Sequence, residues 1–404
     1  MTTDSYALED LVTSNRVPSD AEAAHAHDII ASTRESLAAL DAQIAHLQRN
    51  RAALEAEIQA HKCVVSPWRR LLPELVLTIM RHCNTRTLYP AQHPHFVNPF
   101  VVGQICSAWR ALALATPSLW TSVRVVASEL STAAQARALE LLLQRSHPLG
   151  LDVEVVCEPL QLQASGEPLA VIQTLRSSSA RWRALDVQLT DSLLEALMGG
   201  VDLPRLARLV LRNTWLHTPY PPPASHESLP RGLSFQHAPA LRALTLFNAY
   251  LDTATIVARF PLARLTELDV FVGRVNRPAQ FSGAHAPAVL ARCPRLRILR
   301  LMSVPEACPP SKEDAALVEP VVVPDLHTLE IVAYDRWDLV FDKLALPSLR
   351  RLRLEVSCSS WANRWSEDCF ARLLQRSGRV RSSCQVSTER GSHVYECSLN
   401  EVSL

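Results

Sequence analysis

Glycine is scarce in this chain of 404 residues, which contains only 10. Loops that bind phosphate need glycines where backbone N–H groups approach the phosphate closely, and neither GxxxxGK[ST] nor GxGxxG occurs. The usual nucleotide-binding loops are therefore excluded. The GxSxG pattern of hydrolases and the HExxH pattern of zinc proteases are also absent. With no catalytic constellation left, we expect a protein that is not an enzyme and that uses no cofactor.

Lysine is almost absent as well. Only Lys62, Lys312 and Lys343 occur among 41 basic residues, so the rest are arginine. The simplest interpretation is a biased genome composition. The net charge is +1, and no strong positive field favours nucleic acid or an anionic membrane surface. We therefore expect neither nucleic acid nor a membrane as a partner.

The ten cysteines never fall at CxxC spacing, which argues against a zinc ribbon or a thioredoxin-like motif. Two closely spaced histidine pairs, His25 with His27 and His93 with His95, lack further ligands, so we expect no metal site. No apolar run approaches the ~18 residues of a membrane span. The first residues carry acid and no apolar run, unlike a signal peptide. The cytosol or the nucleus is the simplest location.

Residues 1–17 are expected to form a flexible lead-in, followed by one long helix over residues 18–65. Ser19 and Glu22 have the spacing of a capping box, and no proline or glycine interrupts the chain from Ser19 to Ser66. Apolar side chains recur every seven residues, which is typical of a coiled coil. Arg51 and His61 interrupt this line of apolar side chains, the apolar seam of the helix. Two interpretations stay open: self-association through residues 20–63, or a helix that packs on its own chain or acts as a spacer.

The sequence of residues 66–123 predicts a compact helical unit. Pro73 and Glu74 suit the start of a helix, because proline is tolerated in the first turn and an acid there meets the helix dipole. A second helix is predicted from about Phe100, with one apolar side. A short turn follows Pro117. The residues on the apolar side of the second helix are Val102, Ile105, Cys106, Trp109 and Leu112.

Here the sequence SPWRRLLPELVLTIMRHC, followed by a gap and VVGQICSAWRALALATPSLWTSV, resembles an F-box. The whole layout is similar to the F-box families expanded in mushroom-forming fungi. The resemblance implies docking to a Skp-type adaptor of a cullin ubiquitin ligase. The loop of about 17 residues between the first two helices is longer than in compact F-boxes. The adaptor contacts implied by the resemblance are Leu72, Pro73, Leu75, Ile79, Val102 and Trp109. For Trp109 and Trp120, a place in the protein core is the alternative.

Residues 124–404 carry an irregular repeat. Seven segments fit the pattern apolar-x-x-L-x-apolar, which is the strand signature of a leucine-rich repeat. Their second leucines, at residues 185, 209, 244, 268, 299, 329 and 352, are 23 to 35 residues apart. Segments 139–155 and 371–387 resemble each other and are expected to form the first and last repeats. Residues 388–404 are expected to form a capping strand or hairpin.

The repeat predicts which side chains point outward, because residues alternate between the two faces of a strand. The outward residues of successive strands are expected to lie side by side and form columns across the sheet. One column holds charged residues, and the next is apolar in its centre. The apolar part consists of Phe247, Phe271 and Met302. The neighbouring charges are Asp269, Arg300 and Glu330. We expect these six residues to bind a protein substrate on a concave face. The alternative is that a loop or the C-terminal tail covers the apolar part.

Together these patterns predict an α+β fold: a long N-terminal helix or coiled coil, a three-helix F-box, and an α/β leucine-rich-repeat solenoid for substrate recognition. The function they predict is that of a substrate receptor of an SCF-type ubiquitin ligase, in which few lysines would leave few sites for self-ubiquitination. The alternative is a coiled-coil and leucine-rich scaffold with no role in a ligase. The identity of the substrate does not follow from the sequence.

Overall fold

The computed structural model describes most of the chain. The described residues are 11–14, 16–83, 99–127, 133–157, 169–212, 229, 230, 232–247, 251, 253–272, 286–303, 320–333, 341–357, 367–389 and 392–401. The chain divides into two compact units, Met1–Leu75 and Val76–Leu404. Residues 1–10 of the expected lead-in lie outside the described residues, and so do His93 and His95.

The first unit is dominated by helix α1 (Asp20–Val65), so the predicted long helix is confirmed. Its start is the predicted capping box: the Glu22 N–H donates to Ser19 Oγ at 3.4 Å, and the Ser19 N–H donates to the Glu22 carboxylate at 2.8 Å. Hydrogen bonding by the Arg16 side chain, and then by the Ser19 backbone, lowers the pKa of Glu22 to about 2. The carboxylate therefore stays charged at neutral pH and caps the helix.

Short helical elements follow α1. They are a 3₁₀ turn (Pro67–Arg70), α2 (Pro73–Cys83), α3 (Pro99–Val102), α4 (Ser107–Leu114) and a second 3₁₀ turn (Pro117–Trp120). The predicted helix start at Pro73 is confirmed. The prediction of a single helix from Phe100 is wrong, because the helical conformation is interrupted between α3 and α4. Cys106 adopts an extended conformation there (φ −159°, ψ 169°), and its Sγ accepts the Trp109 N–H at 3.5 Å to cap α4.

The second unit contains a large sheet and a small one. Its strands are β1 (Ser122–Ala127), β2 (Leu151–Cys157), β3 (Trp182–Gln188), β4 (Arg208–Arg212), β5 (Ala243–Phe247), β6 (Glu267–Val272), β7 (Ile298–Ser303), β8 (Val321–Val322), β9 (Thr328–Ala333), β10 (Leu344–Ala345), β11 (Arg351–Ser357), β12 (Arg379–Glu389) and β13 (Ser392–Glu401). Within the described residues, eleven of them form one sheet in the order β1-β2-β3-β4-β5-β6-β7-β9-β11-β13-β12. The first nine are parallel and follow chain order, and β8 pairs separately with β10.

The seven predicted LxL segments all form strands of this sheet, and their pairing register aligns the leucines. Leu209 pairs with Leu185 on one side and Leu244 on the other, and the alignment continues to Leu352. The column of second leucines is at most 1% exposed, and the column two residues later is at most 4% exposed. The predicted inward orientation is therefore confirmed, and these two columns form the core of the sheet.

The ends of the sheet differ from the prediction. The first strand is β1, which starts at Ser122, so the sheet begins before the segment expected as the first repeat. Segment 371–387 does contribute a helix and the strand β12. That strand, however, is antiparallel to β13, and β13 is antiparallel to β11. Residues 388–404, predicted as a capping strand or hairpin, contribute the strand β13, which runs opposite to both of its neighbours and forms a hairpin with β12.

Helices connect many of the parallel strands. They are α5 (Ala133–Arg145), α6 (Leu169–Arg176), α7 (Asp191–Met198), α8 (Thr253–Arg259), α9 (Ala286–Leu290) and α10 (Glu367–Arg376). The first three pack against one another in succession. Each buries an aliphatic side, for example Leu139 on α5, Ile172 on α6 and Leu197 on α7. The coarse prediction of an α+β protein is therefore confirmed.

Arginine side chains hold several turns by donating to backbone carbonyls. Arg181 donates to the carbonyls of Leu149 (2.9 Å) and Leu143 (3.0 Å) and to Ser146 Oγ (2.8 Å). Burial, and then the nearby charge of Arg205, lower the pKa of Arg181. One planar guanidinium thus ties the end of α5 to the beginning of β3, which the point charge of a lysine cannot do.

We expect Arg181→Lys to lower the free energy of unfolding by about 1 to 3 kcal/mol, because the Leu143 and Leu149 carbonyls and Ser146 Oγ lose the guanidinium that they share. Urea unfolding monitored by circular dichroism measures this change. Arg183→Lys is the matched control, because the Arg183 side chain is 63% exposed and pairs at the surface with Asp152. Equal losses in the two variants would show that the carbonyl contacts of Arg181 add nothing specific.

Candidate protein-docking surfaces

The first candidate surface lies at the start of α2. Leu72 is 62% exposed and Leu75 is 51% exposed. The Leu75 N–H donates to the Leu72 carbonyl at 3.0 Å, which fixes the two leucines in one turn around Pro73. Pro73 lacks an N–H, which costs nothing at a first helical position. Two large apolar side chains are therefore displayed on a rigid turn.

Farther along α2 the side chains alternate between the interior and the surface. Val76 and Met80 are 4% and 2% exposed, and they lie one turn apart in the protein core. Ile79, which was predicted to contact an adaptor, is half-buried. The burial of Val76 and Met80 fixes which side of this part of the helix stays at the surface.

Two predicted adaptor contacts do not lie at the surface. Val102 and Trp109 are only 4% and 9% exposed, so their side chains belong to the interior and cannot form a contact surface in this conformation. Sequence reasoning grouped them with Ile105 because it assumed one continuous helix. The break between α3 and α4 instead turns Ile105 outward, and it is 59% exposed. Val101 and Leu114 are also exposed and were missed for the same reason.

Trp120 occupies the core, as the alternative interpretation of the sequence held. It is 1% exposed, and its Nε1–H donates to the Ala113 carbonyl at 2.8 Å. The guanidinium of Arg145, at the end of α5, lies 4.6 Å from the centre of the Trp120 ring. Trp120 therefore connects α4 to α5 within the second unit and does not offer a docking contact.

The second candidate surface is the outward face of the sheet, formed by the side chains that alternate with the buried leucines. The strand register confirms the first predicted column, in which Asp269 pairs with Arg300 and Arg300 with Glu330. Arg300 Nη1 lies 3.2 Å from Asp269 Oδ1, and Arg300 Nε lies 3.3 Å from Glu330 Oε2. Thr245 Oγ1 also donates to Asp269, at 3.2 Å. The three charges expected to select a substrate thus form one cross-strand ion-pair network.

The electrostatics of this network favour the charged state of its arginine. Partial burial acts to lower the pKa of Arg300. The carboxylates of Asp269 and Glu330 outweigh it, so the pKa lies above its ordinary value. The guanidinium is therefore a permanent positive charge between two carboxylates. A ligand that binds here has to satisfy, or displace, contacts that these three residues already make.

The second outward column is aromatic at its centre. The register places Phe247 beside Phe271 and Phe271 beside Met302, as predicted. The two phenyl rings lie 5.4 Å apart at a tilt of 38°, and the Arg212 guanidinium stands 5.5 Å from the Phe247 ring. All three apolar side chains are half-buried. The segments that follow their strands lie outside the described residues, so both interpretations of this column stay open.

Arg212 orients the edge of the aromatic column. It donates two hydrogen bonds to the Asp186 carboxylate, at 2.8 and 2.9 Å. These hydrogen bonds to Asp186 are the main cause of its raised pKa, against a smaller opposing effect of burial. A bidentate pair fixes the guanidinium plane, so that it faces the Phe247 ring as well. The Asp186, Arg212 and Phe247 side chains therefore form one ordered cluster on the outward face.

In the described part of the chain, no group of three histidine, cysteine or acidic residues could hold a metal ion. Cys293 is fully buried, and burial raises the pKa of its thiol to about 12, so it is no nucleophile at neutral pH. Across the described ranges, no helix combines the length and the apolar character that a bilayer span requires.

The comparisons with known proteins give no family. No protein-family model matches this chain, and no curated protein matches it.

We expect Arg300→Ala to lower the free energy of unfolding by about 1 kcal/mol, because Asp269 and Glu330 then both lose the cation with which they pair. Urea unfolding is the measurement, since urea does not screen charges. Arg208→Ala is the control, because Arg208 is 62% exposed and lies 3.8 Å from Glu267. An Arg300 variant that is no less stable than the Arg208 variant would contradict the network.

Proposed function

We propose that this chain is an F-box substrate receptor of an SCF-type ubiquitin ligase. The segment around Leu72 and Pro73 docks a Skp-type adaptor, which connects the chain to a cullin. The sheet of the second unit binds a target protein. The chain itself catalyses nothing in this proposal and acts in the cytosol or the nucleus.

The exposed leucines at the start of α2 are the observation that carries this proposal. Large apolar side chains that remain at the surface of a folded chain usually mark an interface. Leu72 and Leu75 are more than half exposed, although the same helix buries Val76 and Met80. They occupy the Leu-Pro-x-Leu part of the motif that resembles an F-box. Val102 and Trp109 have no part in this contact, since their role is to build the interior.

The architecture of the second unit supports the receptor role. Nine parallel strands follow one another in chain order, and seven of them align inward leucines, as a leucine-rich-repeat solenoid would require. Such a sheet displays side chains from distant parts of the sequence side by side. Phe247, Phe271 and Met302 form its apolar centre, and Asp269, Arg300 and Glu330 border it. Aromatic side chains and methionine are enriched at protein interfaces, so the proposed target contact is centred there.

The alternative function is a scaffold that binds partners without a ligase. The exposed apolar seam of α1 is the observation that favours it. The two functions differ in one respect that can be measured: a scaffold has no affinity for a Skp-type adaptor.

We expect replacement of Leu72 and Leu75 by alanine to weaken binding to a purified Skp-type adaptor at least tenfold. Interface residues of this kind contribute about 2 kcal/mol or more when they are central to a contact. Isothermal titration of the full chain measures the affinity. The matched control replaces Leu141 and Leu149, two exposed leucines of the second unit. The double change of Leu72 and Pro73 to alanine should have the same effect, and unchanged binding in both variants would sink the proposal.

We expect the pair Phe271→Ala and Met302→Ala to weaken target binding at least about tenfold while adaptor binding is unchanged. The target is first identified by affinity capture from cells in which cullin activity is blocked, and its affinity is then measured with purified proteins. The Leu141 and Leu149 variant again serves as the control. A target that binds the Phe271 and Met302 variant as tightly as the parent would place recognition elsewhere.

A further inference from the structure

Helix α1 carries an apolar seam that no described residue of the first unit covers. The helix has 46 residues, about 69 Å of length, and none of them is buried. Its isoleucine and leucine side chains are between 46% and 64% exposed. Such a surface is unfavourable in water, because burying it against another apolar surface would release its hydration. The seam is therefore an interaction surface without its partner.

The positions of the aliphatic side chains follow a seven-residue repeat. The positions called a hold Ile30, Leu37, Ile44, Arg51 and Ile58. The positions called d hold Thr33, Leu40, Leu47, Leu54 and His61. Isoleucine is the commonest residue at a, and leucine is the only aliphatic residue at d. This distribution favours two parallel strands over trimers and tetramers, since it fits the different side-chain packing at the two positions of a dimer.

Charge complementarity points to a second copy of the same chain. In a parallel dimer in register, each g residue faces the e residue five positions later on the other helix. Glu57 then faces Lys62 of the second copy, and Glu22 faces His27 of the second copy. The remaining pairs contain no like charges: Ile29 with Arg34, Ser36 with Asp41, Gln43 with Gln48, and Asn50 with Glu55. A parallel arrangement of two copies is thus free of repulsion along both edges of the seam.

The antiparallel arrangement is less favourable. Its best alignment of apolar layers sets Ile44 opposite Leu40 of the second copy. The e positions then pair with one another, and Asp41 lies beside Asp41 of the second copy at the centre of the dimer. Two carboxylates at the middle of the contact repel each other in every such dimer. The charges at the e and g positions therefore favour the parallel orientation, although that orientation sets the two Arg51 side chains opposite each other.

Arg51 sets the register. It is the one charged residue among the aliphatic a positions, and its Nε donates to Glu55 Oε1 of the same helix at 2.8 Å. In register, the two Arg51 side chains face each other, each beside its own carboxylate. A shift by one heptad would set each guanidinium against Ile44 or Ile58. A polar group at a single a position fixes register in this way, at a cost in stability.

We propose that α1 forms a two-stranded, parallel, in-register coiled coil with a second copy of this chain. The contact comprises the aliphatic a and d residues from Ile30 to Ile58. His61, which lies beyond them at a d position, limits the contact at the C-terminal end. This proposal does not rest on the docking of an adaptor, because it depends only on the residues of α1.

Light scattering during size-exclusion chromatography of the full chain tests the assembly. We expect a mass twice the 44.8 kDa of the chain. Leu40→Glu with Leu47→Glu should give the monomer mass. Ala45→Glu with Ala52→Glu is the matched control, because it adds the same charge seven residues apart on the outward side of α1 and should stay dimeric. A monomeric parent chain, or a dimer that survives the Leu40 and Leu47 changes, would overturn the proposal.

Disulfide trapping tests the orientation in the full chain. Leu54→Cys should yield a disulfide-linked dimer on a non-reducing gel, since residue 54 faces residue 54 in the parallel register. In the antiparallel arrangement, Leu54 faces Ile30 of the second copy, about 36 Å along the helix from its own counterpart. The parent chain is the control, because its exposed Cys63 lies on the outward side of the seam. Crosslinks that form only between Ile30→Cys and Leu54→Cys chains would overturn the parallel orientation.

Discussion

Each of the nine parallel strands of the large sheet carries aliphatic side chains two residues apart, and their burial is the interaction on which this sheet depends. The two inward columns are at most 7% exposed. A slip of one residue in any strand would turn its aliphatic residues to the outward face, so this burial fixes the register. The register in turn fixes the outward columns. Asp269, Arg300 and Glu330 meet, and Phe247 lies beside Phe271, only because the leucines behind them are aligned.

Arginine side chains make contacts in this fold that lysine side chains cannot make. Arg181 holds the end of α5 through three acceptors, and Arg376 donates to the carbonyls of Phe341 and Leu344 near β10. On the outward face, Arg183 and Arg212 bind carboxylates of the preceding strands with two donors each. These contacts need a planar fork of donors. The scarcity of lysine, whatever its origin, therefore coincides with a structural use of arginine.

The features that could be predicted are those governed by local pattern. The capping box at Ser19, the length of α1, the LxL strands and the outward columns all follow from spacing along the chain. The burial of Val102 was not predicted, and for Trp109 the sequence left the surface and the core open as alternatives, because both depend on the break between α3 and α4 and on packing against distant residues. The place of β12 in the sheet was missed for a related reason: α10 and β12 repeat the pattern of earlier helix–strand units, but β13 lies between β11 and β12 and pairs antiparallel with both.

The apolar side chains that remain exposed after folding are the ones on which the proposed function rests. The core takes Val76, Met80 and Trp120 and leaves Leu72 and Leu75 in solvent, and the central claim is that a Skp-type adaptor covers these two leucines. Hydrogen–deuterium exchange of the full chain, with and without a saturating purified adaptor, tests this claim most directly. We expect slower exchange in peptides spanning residues 66–83 when the adaptor is present. Exchange there that does not change on addition of the adaptor would contradict the claim.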